Sequence, residues 1–299
     1  VTEDDFPTLA DVIGNTPVVR LARLAPAGAT VLVKLEGANP AGSVKDRPAF
    51  AMVADAEASG RIAPGDALVE ATSGNTGIAL AAAAAAFGYR ITLVMPEGAS
   101  RERVGLMAAY GARIVLTPVG VGMEGARDES ARIAREEGAL ELNQFANPSN
   151  PASHYRATAH EIWEQSHGRI THFVSSMGTT GTITGVSHAL KELNSAVRII
   201  GVQPGPGESV PGIRAWPPEY LPSIFDPAAV DETREVTGAR AVAVTKELAR
   251  VEGLALGPSS GGAVAIALDV AAENPGSVVV VIAPDRADRY LSTDLFDEE

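Results

Sequence analysis

Apolar runs rich in β-branched residues alternate along this chain with alanine-rich segments of helical period, and this alternation restricts the fold more than any other feature. The runs at 31–35, 67–70, 91–95, 113–117, 171–175, 197–202 and 277–283 read as strands. Helical patterns lie between them at 47–59, 76–87, 101–110, 122–137, 182–193 and 242–252. Strand, loop and helix in repetition predict an α/β architecture with largely parallel sheets. The strands are apolar almost continuously, as sheets covered on both faces require. With 299 residues the chain can form one large domain or two modest ones. No repeat or low-complexity linker divides it. The run Asn147-Pro148-Ser149-Asn150-Pro151 is the clearest break in composition and reads as a crossover between domains.

Composition closes off several functions. The longest apolar run, 79–87, ends at Gly88 and is too short to span a bilayer, and residues 2–5 are acidic where a secretory leader would be basic. The expectation is a soluble, cytoplasmic protein. A net charge of −13 argues against a nucleic-acid surface or an anionic membrane as partner. The absence of cysteine excludes disulfides, thiolate metal sites and a cysteine nucleophile. His154, His160, His167, His172 and His188 show no metal-ligand spacing, so no metal is expected.

The chemistry is concentrated in four polar, glycine-bearing loops. In Asn39-Pro40-Ala41-Gly42-Ser43-Val44-Lys45-Asp46-Arg47, Lys45 ends a short loop that could hold its amine away from bulk water. An ammonium is costly there, and the neutral amine is a useful nucleophile for a Schiff base. A solvated surface lysine is the plain alternative. Thr72-Ser73-Gly74-Asn75-Thr76 and Gly178-Thr179-Thr180-Gly181-Thr182 each follow an apolar run and open a helical pattern. Such a helix start offers free N–H groups, the positive end of the dipole and, here, threonine hydroxyls, which together suit an anion without any lysine or arginine. Ordinary threonine-capped turns would look similar. The fourth loop, Pro258-Ser259-Ser260-Gly261-Gly262, precedes an Ala/Val-rich helix.

Together, and in this order, these motifs resemble the cysteine synthase family of pyridoxal-phosphate (PLP) enzymes, the tryptophan-synthase-β-like or fold-type II group, and within it the cysteine synthase B branch. The resemblance runs from Ile13-Gly14-Asn15-Thr16-Pro17 to Asp288-Arg289-Tyr290-Leu291-Ser292-Thr293. It implies two three-layer α/β domains with the cofactor in the cleft between them. The smaller, mobile domain would be 39–146; the larger would be 1–38 plus 147–299. The implied cofactor is pyridoxal 5′-phosphate and the implied assembly a homodimer. By the same resemblance Lys45 holds PLP and acts as general base, residues 178–182 receive its phosphate, Asn75 bonds its ring hydroxyl oxygen, and Ser259 faces its ring nitrogen. Thr72, Ser73, Gly74, Thr76 and Gln144 would bind the substrate carboxylate, the plainer alternative for Gln144 being a hydrogen bond at a domain joint. A serine at the ring nitrogen moderates the cofactor's electron-sink power, which suits β-elimination better than transamination.

The family reaction is β-replacement on O-acetyl-L-serine through an α-aminoacrylate, with sulfide giving L-cysteine and acetate. Val210-Pro211-Gly212-Ile213-Arg214-Ala215-Trp216 resembles the segment that closes over substrate in the B branch, with Gly212 and Arg214 as substrate contacts. Arg214 could take the extra anionic group of thiosulfate or of O-phosphoserine. Ala215 stands where a second basic residue is common, which weakens the case for thiosulfate. Ala159-His160-Glu161 is a second departure; His160 reads as a structural residue at a helix start, since Lys45 already supplies a base. Residues 285–290 read as fold closure. An O-phosphoserine sulfhydrylase, another PLP β-eliminase and a non-catalytic binding protein of the same fold are the competing readings, the last opposed by the joint presence of Lys45, Asn75 and Ser259.

Overall fold

In chain order the computed structural model, which describes residues 6–296, contains β1 (Val18–Arg20), β2 (Thr30–Leu35), α1 (Asp46–Ala58), β3 (Ala67–Ala71), α2 (Asn75–Phe87), β4 (Arg90–Pro96), α3 (Arg101–Ala109), β5 (Arg113–Thr117), α4 (Gly122–Glu137) and β6 (Leu140–Glu141). It continues with α5 (Ser149–Ser153), α6 (Ala159–Gln165), β7 (His172–Ser176), α7 (Gly181–Leu193), β8 (Arg198–Pro204), β9 (Glu232–Val236), α8 (Gly238–Glu247), α9 (Pro258–Glu273) and β10 (Val278–Ala283). The acidic residues 2–5 lie outside the described residues. No helix among the described residues is long and apolar enough to cross a membrane.

The chain forms two units. The smaller comprises residues up to Ile13 together with Asn39–Ser149. Its sheet has the order β5-β4-β3-β6, with every pair parallel. Alternate residues of a strand face opposite sides. Leu68, Ile91, Leu93 and Met95 join α1, α2 and Met107 of α3 in one apolar cluster, while Val69, Ala71 and Val94 meet Ala126 and Ile133 of α4 in another. Those two clusters make three layers. Ala10 and Ile13 pack on the first cluster, so the stretch before Gly14 groups with the smaller unit, where the expected division assigned 1–38 to the larger.

The larger unit comprises Gly14–Ala38 and the chain from Asn150 onward. Its sheet order is β1-β2-β10-β7-β8-β9, with only β1 antiparallel to its neighbour. Val31, Val33, Val174, Val202, Val279 and Val281 pack with α8 and α9. Val280, Ile282, Phe173 and Ile199, pointing the other way, are buried as well, and α7 lies against β7 and β8. The α/β class with largely parallel sheets is as the sequence predicted. Two details differ. The helix expected at 242–252 starts earlier, at Gly238, where the Thr237 hydroxyl accepts from Arg240 N at 3.2 Å, and ends in the π-turn Leu248–Glu252. His160 does not open a helix: α5, the π-turn His154–Thr158 and α6 run on continuously, and His160 is exposed within that run.

Candidate active site

Lys45 stands at the N-terminal end of α1, half-buried. Its loop is held from below by Asp46, which is fully buried and accepts from Ala41 N at 2.6 Å, Ser43 N at 3.3 Å and Ser43 Oγ at 3.4 Å. Ser43 Oγ in turn accepts from Lys45 N at 3.2 Å, and Asn39 Nδ2 donates to Ser43 O at 3.2 Å. The backbone around the lysine is therefore fixed through hydrogen bonds to a buried carboxylate, which limits the positions its amine can reach. Sequence reasoning singled out Lys45 but not Asp46; an acid directly after the loop, in the first turn of a helix, was the available signal.

In the same unit, Thr72, Ser73 and Gly74 lead from β3 into α2, whose start carries no side-chain cap. Gly77 N donates to Gly74 O at 3.1 Å, and a helix start of this kind presents N–H groups suited to an anion. The structure brings Gln144 to this turn: Thr76 Oγ1 donates to Gln144 Oε1 at 2.6 Å, both side chains buried. Gly77 allows the turn to pack, since a Cβ there would fall 2.8 Å from Met107 Cε and 3.2 Å from Thr72 Cγ2. Behind Gln144 lies Glu70, a buried carboxylate in β3 that accepts from Asn143 N at 2.9 Å and Gln144 N at 3.3 Å. Burial pushes its carboxyl up to about 7, against the lowering effect of those two N–H groups.

The larger unit gathers the remaining candidates. Residues 178–182 lead from β7 into α7, again without a side-chain cap, and Thr180 holds a left-handed φ of 70°. The loop is packed too closely for larger residues. A Cβ on Gly181 would lie 2.0 Å from Asn150 Oδ1, and one on Gly178 would lie 3.1 Å from the Gly212 carbonyl. Asn150 Nδ2 donates to Thr179 Oγ1 at 3.3 Å, and the buried His154 places Nε2 3.3 Å from Thr182 Oγ1. These two supports were missed from sequence because they come from the helical run 149–165, remote along the chain.

The segment carrying Gly212 and Arg214 is hooked onto this loop. Arg214 N donates to Met177 O at 2.8 Å and Trp216 Nε1 to Gly178 O at 2.7 Å. The Arg214 side chain is exposed, its guanidinium 5.5 Å from the Trp216 ring centroid. Gly212 has φ +89°, and a Cβ there would sit 3.4 Å from Oγ of the buried Ser259 in the first turn of α9. Residues 285–290 close the fold onto the head of this helix: Tyr290 Oη donates to Asp285 Oδ2 at 2.7 Å, and Gly257 N to Asp285 O at 3.2 Å. Among the described residues no cluster of His, Asp or Glu could hold a metal.

The chain as a whole matches known proteins. Residues 9–285 match the family model described as "Pyridoxal-phosphate dependent enzyme". This chain belongs to that family. It is 58% identical to cysteine synthase B of Escherichia coli over 294 residues, covering 98% of this chain and 97% of that one. Among solved structures, an O-ureido-L-serine synthase superposes with a TM-score of 0.93 at 41% identity, covering 98% of this chain and 95% of that one. A cysteine synthase from Entamoeba histolytica gives 0.92 at 38% identity, covering 100% and 93%. The resemblance to the cysteine synthases is thereby upheld, and the cofactor of this PLP-dependent chain is pyridoxal 5′-phosphate. The residues of the larger unit fit the phosphate and ring of such a group: the uncapped start of α7 lies next to glycines that a Cβ would jam, and the buried Ser259 hydroxyl stands beside Gly212.

Proposed function

We propose that this enzyme makes L-cysteine and acetate from O-acetyl-L-serine and sulfide. The observation that carries the reading is the fixing of Lys45 by buried Asp46 in a chain so similar to cysteine synthase B. When bound, PLP supplies an electron sink next to the substrate's α-carbon, which loosens the α-proton and the β-acetoxy group. Lys45 Nζ would be the attachment point of the cofactor and the base that takes the substrate's α-proton. Residues 178–182 bind the phosphate with helix-start N–H groups and hydroxyls, Asn75 holds the ring hydroxyl oxygen, and Ser259 meets the ring nitrogen. Thr72, Ser73, Gly74, Thr76 and Gln144 receive the substrate carboxylate, with Gly212 at the substrate's edge. Arg214 would receive the extra anionic group of thiosulfate, extending the products to S-sulfocysteine, or the phosphate of O-phosphoserine, with Ala215 beside it supplying no second cation. A homodimer in the cytoplasm is the assembly and setting that the family resemblance implies; light scattering at the mass of one chain would overturn the dimer.

The test is the visible absorption spectrum of the purified protein, recorded before and after O-acetyl-L-serine and then after sulfide or thiosulfate. A cofactor band that shifts with O-acetylserine and returns with sulfide is expected, with Lys45→Ala slowed by roughly a thousandfold. A spectrum indifferent to O-acetylserine, or a Lys45→Ala protein of normal turnover, would sink the reading. Arg214→Ala should lower the use of thiosulfate relative to sulfide; an unchanged ratio removes Arg214 from donor selection.

A further inference from the structure

Glu70 is the one charged side chain in β3, a strand otherwise made of Ala67, Leu68, Val69 and Ala71. It is 3% exposed, and a carboxylate so placed is expensive unless its oxygens are engaged. Here they engage two consecutive backbone N–H groups, of Asn143 at 2.9 Å and Gln144 at 3.3 Å. The convergence of those groups depends on Asn143 adopting a left-handed φ of 51°, a conformation asparagine tolerates better than most residues. Successive N–H groups in such a turn form a small anion-binding concavity. In this protein its occupant is the chain's own carboxylate.

Arg127 of α4 lies over the Phe145 ring of this turn, 4.8 Å from its centroid. Ala146 N and Asn147 N both return to Asn143 O, at 3.0 and 2.9 Å. Of the bonds described, those from Glu70 tie Asn143 and Gln144 to the sheet, and Gln144 Oε1 continues the connection to Thr76 Oγ1 at 2.6 Å. We infer that Glu70 is a positioning residue for recognition of the substrate's α-carboxylate: its two oxygens fix the turn that sets the Gln144 amide against the start of α2. This rests on the reading that Thr76 and Gln144 contact that carboxylate. A glutamine in place of Glu70 offers one acceptor oxygen and turns an NH2 group toward an N–H, so it cannot reproduce the pair.

The charge state follows from the surroundings. Burial raises the carboxyl, the Gln144 and Asn143 N–H groups lower it, Glu141 on β6 raises it, Arg127 on α4 lowers it, and together they leave it at about 7. Above that value both oxygens accept. Below it a proton occupies one of them and the hold on the turn weakens.

The test uses the holoenzyme and L-serine, whose hydroxyl is a poor leaving group, with binding read from the cofactor's visible band. The ratio of wild-type to Glu70→Gln affinity cancels the titration of the ligand's own amine. It should be about tenfold at pH 8.5, the size expected for a lost hydrogen bond to a charged acceptor, and fall toward one at pH 6. A ratio of one throughout, or a tenfold ratio independent of pH, overturns the inference, the latter because it marks a packing role. Gln144→Ala separates the two readings: if it leaves affinity unchanged the carboxylate site itself is wrong, whereas if it weakens binding and Glu70→Gln does not, only the role of Glu70 falls. In wild-type protein, which needs no variant to fold, the amide resonances of Asn143 and Gln144 should titrate together near pH 7. Flat resonances would also overturn it.

Discussion

Glu70 has a cost that can be measured separately from substrate. Its carboxyl is raised from an ordinary value of 4.5 to about 7 in the folded protein. A raised acid contributes stability that is fully present below the unfolded value and is lost as pH rises through the folded one. Between pH 4.5 and 8 the wild type should therefore lose about 3 kcal/mol relative to Glu70→Gln, because each pH unit between the unfolded and folded values is worth about 1.4 kcal/mol. Denaturant unfolding of both proteins at the two pH values checks this; parallel curves would show that the charge is relaxed by local movement. The position was open to detection from sequence, because a lone acid in a strand predicted to be covered on both faces must find donors. Its partners were not, since Asn143 and Gln144 reach it only through the pairing of β3 with β6, and β6 is the two residues Leu140 and Glu141. Lys45, by contrast, was legible because the hydrogen bonds described around its loop lie between Asn39 and Asp46.

At the level of elements, one helix start carries backbone strain and another close packing. Thr180 is β-branched and left-handed at the head of α7, an arrangement that costs about 1–2 kcal/mol. Thr180→Gly should raise the stability of the cofactor-free protein by about 1 kcal/mol while weakening its hold on PLP; thermal unfolding without cofactor and equilibrium dialysis with it read the two effects. A variant that neither gained stability nor lost affinity would assign Thr180 no part in the loop's strain. Gly261 in α9 permits close crossing of α8, since a Cβ there would stand 2.0 Å from Thr245 Oγ1 and 2.3 Å from Ala241 O. Gly261→Ala should destabilise by about 2–3 kcal/mol, the cost of overpacking, measured by denaturant unfolding. The glycine was visible in sequence only as part of a loop; its role in helix packing depends on α8, which follows β9. That strand escaped the sequence reading because Glu232, Arg234 and Glu235 interrupt its apolar pattern at the edge of the sheet.

Across the whole molecule, the continuous apolar strands were legible because burial on both faces leaves no alternative composition, whereas the strands at or near the sheet margins, β1, β6 and β9, are short or charged and carry little pattern. The order of strands has a further consequence. In the smaller unit all four sheet strands are present once Glu141 has been made. In the larger one β10 sits between β2 and β7, pairing Val278 with Thr30 and Val280 with Phe173, and it is the last strand in the chain among the described residues. During synthesis β2 must therefore wait, with one edge open, until β10 has emerged. Nascent chains halted after α6 should show a protease-resistant smaller unit and a sensitive β1–β2 hairpin, and both should resist only once β10 is out. Protection of the hairpin before then would mean that another segment holds its place. The exposed edge of β2 makes the growing chain, more than the finished enzyme, the form that depends on chaperones.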